Sequence, residues 1–105
     1  MNRSVRFRQL AKNDLEEIVV YFGLTSAAAS QRFAARVSAT LSLLADQPGM
    51  GAKWPARRND LQGIRRFPFS DFRSFLIFYV PRDNFIDVVR IIHGVRDIGK
   101  AVRAG

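Results

Sequence analysis

Three β-rich runs stand in a row late in the chain, Ile64–Phe69, Ser74–Val80 and Phe85–Ile92, separated only by "SDFR" and "PRDN". Connections this short cannot carry a crossover, so neighbouring runs must fold back on one another as antiparallel hairpins. A three-stranded meander is therefore the most constrained part of the fold, and the rest of the chain must be arranged around it.

What precedes the meander is helical. In "LAKNDLEEIVVYF" the apolar residues Leu15, Ile18, Val19 and Phe22 recur at helical spacing, with Lys12, Asn13, Glu16 and Glu17 on the other side. Gly23 ends this helix, and Thr25 or Ser26 can cap a second by offering a side-chain oxygen to the free N–H groups of its first turn. That second helix, about Ala27 to Asp46, repeats the stripe with Phe33, Val37, Leu41 and Leu44. A connection of about three residues makes the pair an antiparallel hairpin. Ahead of it "RSVRFR" alternates basic and apolar residues and forms a short strand. Between helices and meander, "DQPGMGAKWPARRND" breaks all periodicity, and Pro48, Gly49, Gly51 and Pro55 argue against regular structure there. The tail "RDIGKAVRAG" supplies one short helical turn.

The order β-α-α-loop-β-β-β has no βαβ alternation. The expected class is α+β, with an N-terminal strand and an antiparallel helix hairpin packed on an antiparallel β-sheet meander. Residues 1–105 are expected to form a single domain with one core. Strict alternation puts Ile86, Val88, Arg90 and Ile92 on one face of the last strand, and Phe85, Asp87, Val89, Ile91 and His93 on the other. Both faces are largely apolar, so the face without helices needs cover from the chain's own tail or from a partner protein.

Charge narrows the choice of partner. Seventeen Lys+Arg against nine Asp+Glu give a net +8, and residues 47–105, with eleven bases and five acids, hold +6 of it. Fourteen of the seventeen cations are arginine, whose planar fork of donors suits phosphate and carboxylate groups. The partner this implies is acidic or polyanionic. Zero cysteines exclude disulfides and thiolate metal sites, and one histidine cannot build a zinc site unaided. No metal or cofactor is expected. No apolar run approaches the roughly 18 residues that span a membrane, the N-terminus lacks a signal-peptide core, and the cytoplasm is the expected location. A phosphate-cradling glycine loop, GxSxG and HExxH are all absent from the sequence.

Arg65 and Arg66 enter the first meander strand, Arg73 precedes the second, and Arg96 follows the third. Brought to one end or face, four guanidinium groups would bind phosphate or a ring of carboxylates. Neutralised locally by Asp71, Asp87 and Asp97, they would do little. Trp54, beside Lys53, Arg57 and Arg58, can stack on a base or anchor its loop on the core. His93, at a strand end before glycine, reads first as a structural residue bonded to a loop. A general acid or base is the sharper alternative, because imidazole titrates near neutrality.

Four segments in order, "AKNDLEEIVVYF", "LLADQPGMG", "LQGIRRFPFSDFRSFLIFY" and "VVRIIHGVRDI", resemble the ParE-type toxins of the RelE/ParE toxin–antitoxin superfamily over essentially the whole chain. The resemblance implies the fold just derived and a toxin neutralised in a heteromeric complex by a ParD-like antitoxin. It further implies DNA gyrase as the target, held by binding and without a catalytic residue. The alternative it carries is a RelE-like ribosome-dependent mRNA endonuclease. Arg65 falls at the arginine that opens the hairpin in both branches, and Arg96 near a functional RelE arginine. "HGVRD" and "FRSFLIFY" follow the ParE pattern, whereas the RelE lysine pair is reduced to Lys53 and no tyrosine follows Arg96. Candidate contacts to target or antitoxin are thus Arg57, Arg58, Arg65, Arg73, His93 and Arg96.

Overall fold

The computed structural model describes residues 3–94 and 98–105, so the expectations placed on Arg96 and Asp97 lie outside the described residues. The elements run β1 (Ser4–Phe7), α1 (Gln9–Gly23), α2 (Ala27–Asp46), β2 (Ala52–Lys53), β3 (Arg65–Phe69), β4 (Phe72–Pro81), β5 (Phe85–His93) and α3 (Ile98–Ala104), with 3-10 turns at Pro48–Met50 and Asn59–Leu61. They form an α+β fold around one five-stranded sheet in the order β1-β5-β4-β3-β2.

The meander β3-β4-β5 is antiparallel, as the short connections require. β1 adds a parallel edge, with Ser4 opposite Phe85 and Phe7 opposite Val88. A parallel neighbour needs a crossover, and the helix hairpin supplies it. Ser26 caps α2 by accepting from the Ala29 N–H at 3.1 Å, and the Ser30 hydroxyl donates to the Val19 carbonyl at 3.0 Å, tying the two helices together. Two segments are more regular than their sequence suggests. Ala52–Lys53 pair with Arg65–Arg66 despite the flanking glycines and prolines, and the tail forms a seven-residue helix rather than one turn.

The hairpin packs its stripe on the sheet as expected. Phe33 is fully buried at the centre, with Phe22, Phe69, Phe72 and Phe75 around it at centroid distances of 5.2 to 5.6 Å.

The faces of β5 depart from strict alternation. Phe78 pairs with Arg90 but Tyr79 with Val88, so Val89 is an extra residue in a β-bulge. A bulge shifts the phase of every side chain beyond it. Ile86, Val88 and Ile91 consequently share the helix-side core, while Val89 and Ile92 lie in the opposite one. The expected grouping of Val88 with Ile92, and of Val89 with Ile91, is corrected accordingly. The shift also turns His93 toward Phe75 on the helix side, with ring centroids 5.0 Å apart.

The second face is covered by the chain itself. Leu61 and Ile64 from one side and Ala101 and Val102 of α3 from the other close over Phe78, Val80, Val89 and Ile92. Trp54 anchors this cover, edge-on to Phe78 at 5.4 Å and beneath the Arg66 guanidinium. Among the described residues no helix is long and apolar enough to cross a membrane.

Candidate partner-binding site

Among the described residues, five of the fourteen arginines are held in three structural networks. In the first, Arg90 and Asp14 form a buried bidentate pair, Nε to Oδ2 at 2.7 Å and Nη2 to Oδ1 at 2.8 Å. Asp14 also accepts from the Ile91 N–H at 3.0 Å, closing the edge of β5 that β1 is too short to cover. The remaining Arg90 donor reaches the Ala101 carbonyl at 2.7 Å, so one guanidinium joins α1, β5 and α3. The bonds that Arg90 donates to Asp14 hold its pKa above the ordinary value despite burial.

The second network surrounds Asp60 and Asp87. Arg8 bridges them, at 3.0 Å to each, and Arg82 adds a bond to Asp87 at 2.9 Å. Arg58 donates to Asp60 at 2.9 and 2.6 Å and also to the Arg103 and Gly105 carbonyls, gripping the end of α3. Hydrogen bonds from Arg58 and then Arg8 pull the Asp60 carboxyl down to about 2. Burial pushes the Asp87 carboxyl up, but its bonds to Arg8 and Arg82 outweigh that and leave it lowered.

A depressed carboxyl contributes stability above its unfolded value of about 4, and that contribution is lost as pH falls through the folded value. Emission of Trp54, the one tryptophan, is therefore expected to hold steady on acidification to about pH 4 and to shift between there and about pH 2 as the α3 grip releases. Asp60→Asn should show the shifted emission already at neutral pH. An identical acid transition in both proteins would remove Asp60 from this role.

The third network holds the loop after α2. The buried Tyr79 hydroxyl accepts from the Gly51 N–H at 2.9 Å and donates to the Pro48 carbonyl at 2.7 Å. Arg65 donates to the Gly51 carbonyl at 2.7 Å and to that of Gly49 at 3.3 Å. A Cβ on Gly51 would stand 2.7 Å from the Tyr79 hydroxyl and 2.8 Å from the Arg66 carbonyl, so only glycine fits there.

The sequence candidates are thereby dispersed. Arg65 grips the 49–51 loop and Arg58 grips Asp60 and α3. Arg57 carries no hydrogen bond or ion pair among the described residues. Asp71, at the β3–β4 turn with φ of 67°, pairs with Arg36 at 2.9 Å and not with Arg73. Arg73 and His93 meet in a cavity of about 600 Å³ that Glu17, Tyr21, Phe72 and Phe75 also line, and Arg57 and Arg58 share a second one of about 580 Å³. Beside it the end of α1 exposes Val20, Tyr21 and Leu24, at 62, 65 and 79%. An apolar slot edged by charges of both signs is suited to receiving an amphipathic segment.

The helix hairpin on a mixed five-stranded sheet is an α+β fold that this chain shares with solved chains of ParE and RelE toxin–antitoxin systems. A chain of the chromosomal ParDE system from P. aeruginosa shares it at TM-score 0.67 and 16% identity, over 87% of this chain and 95% of that one. A chain of the RelBE2 toxin–antitoxin complex from Mycobacterium tuberculosis does so at TM-score 0.58 and 22% identity, over 89% and 99%. Within that class, the model of the ParE toxin of the type II toxin–antitoxin system parDE matches residues 5–98, and the chain belongs to this family. No curated protein matches.

Proposed function

We propose that this toxin acts in the cytoplasm by binding DNA gyrase and trapping it on cleaved DNA, and that a ParD-like antitoxin neutralises it in a heteromeric complex. The observation that carries the reading, beside family membership, is the dispersal of the arginines. A metal-free phosphodiester cleavage needs several cations converging on one phosphate. Here Arg65 and Arg58 are committed to holding loop and helix, and the sheet face opposite the hairpin is filled by Phe78, Val80, Val89 and Ile92. One surface left for function is the slot of Arg73 and His93 with Val20, Tyr21 and Leu24 beside it. We assign to this slot the contact with gyrase or with the antitoxin, apolar burial giving affinity and Arg73 giving orientation.

Purified toxin incubated with gyrase, ATP and supercoiled plasmid is expected to accumulate linear, protein-linked DNA. Ribosome-bound mRNA in a translation extract should stay intact. Cut mRNA with an unaffected gyrase would replace this reading by the endonuclease one, in which His93 and Arg73 become the first residues to test.

A further inference from the structure

We infer that the cavity between the Trp54 loop and α3 is a docking pocket for an acidic, leucine-bearing segment of the neutralising partner; that the partner is an antitoxin rests on the function proposed above. The cavity measures about 580 Å³, and Trp54, Ala56, Leu61 and Val102 line it together with Arg57, Arg58 and Arg103. Its ionisable lining is of one sign. The slot beside His93 mixes Glu17 and Asp71 with Arg73, and the groove between α2 and β3 holds the closed pair Arg36–Asp71. Among the described residues this cavity has three arginines and no acid.

Of the three, Arg58 is engaged by Asp60 and by the carbonyls that end α3. Arg57 and Arg103 have exposed side chains with no hydrogen bond or ion pair among the described residues, and Arg103 serves the fold only through its carbonyl. Two uncommitted guanidinium forks therefore stand beside an apolar floor whose accessible part is the half-buried Trp54 and Ala56, with Leu61 and Val102 already buried in the core. A fork recognises a carboxylate through paired charge-assisted bonds, and the floor accepts an aliphatic side chain. A nucleotide fits less well. Its base needs an open ring face, and Trp54 already packs against Phe78 and lies beneath Arg66.

Trp54 reports on this site because it lines the cavity and is the one tryptophan. The full chain, purified free of partner, is titrated with three probes: a twelve-residue peptide alternating glutamate and leucine, its lysine–leucine counterpart, and a twelve-nucleotide oligothymidine. The glutamate–leucine peptide is expected to shift Trp54 emission saturably. The Arg57→Ala/Arg103→Ala protein should melt like the parent and bind this peptide on the order of tenfold more weakly, and Arg57→Lys/Arg103→Lys should restore part of the loss.

No saturable shift, or equal affinity in the alanine protein, overturns the pocket. So does oligothymidine binding more tightly than the peptide with a steep salt dependence. Growth arrest by the expressed toxin is scored separately. Arrest without a peptide signal sinks the pocket alone, whereas absence of arrest sinks the toxin reading and with it the partner named here.

Discussion

Asp14→Ala is expected to cost about 3–5 kcal/mol of folding stability, because it leaves a buried guanidinium without its counter-charge. Arg90 and Asp14 have side chains only 8 and 7% exposed, so water cannot take over the role of the missing carboxylate. The same change orphans the Ile91 N–H at the edge of β5. Replacing both members by apolar residues of similar length, Asp14→Leu with Arg90→Met, should recover the part of the loss due to the unpaired charge and leave the part due to the Ile91 N–H and the Ala101 carbonyl. Urea denaturation followed by circular dichroism gives both numbers. A loss below about 1 kcal/mol for Asp14→Ala would mean that the site opens to solvent at small cost.

The second large effect is expected at Phe33. Truncation to alanine removes the ring on which Phe22, Phe69, Phe72 and Phe75 converge, and such a cavity costs about 3–5 kcal/mol. For a chain of this size each kcal/mol lowers the melting temperature by about 4–8 °C, so a drop of at least ~12 °C is expected in a thermal melt. Phe33→Leu should lose far less, because the cluster keeps most of its volume. If the alanine protein melted within ~5 °C of the parent, the rings would have to collapse into the space, and the cluster would not be the rigid centre described above.

The hairpins and helices were legible in the sequence for simple reasons. Leu15, Ile18, Val19 and Phe22 leave one face for the sheet, and four-residue links leave one topology for the meander. β1 was legible as a strand but not as a parallel neighbour of β5, since pairing at that separation leaves no local trace. The bulge at Val89 was equally hidden, because "VVRII" is apolar in either phase and only the partner strand fixes which residue is extra.

A signal for the Asp14–Arg90 pair was present in the sequence. Asp14 sits at helical spacing between Ala11 and Ile18 on the apolar stripe, and Arg90 interrupts an apolar strand, so each was a charge in need of a buried partner. The candidate site was less legible. Arginines at strand entries looked like a converging cluster, whereas Arg65 turned to backbone carbonyls and Arg58 to a neighbouring aspartate. Arg73 and His93 came together only because the bulge turned His93 toward α1.

The parallel edge of the sheet has a consequence for the order in which the molecule comes into being. Ser4–Phe7 find their strand partner only in Phe85–Val88, and Arg8 the second of its two carboxylates in Asp87, 79 positions later. A ribosome releases the early strand long before its neighbour exists, and contacts that close so long a loop form late. Through most of translation the helix hairpin is therefore available while the sheet that orients it is unfinished. The strand that is synthesised first cannot be seated before residues 85–88 have left the ribosome, and a toxin built this way acquires its working shape only after that.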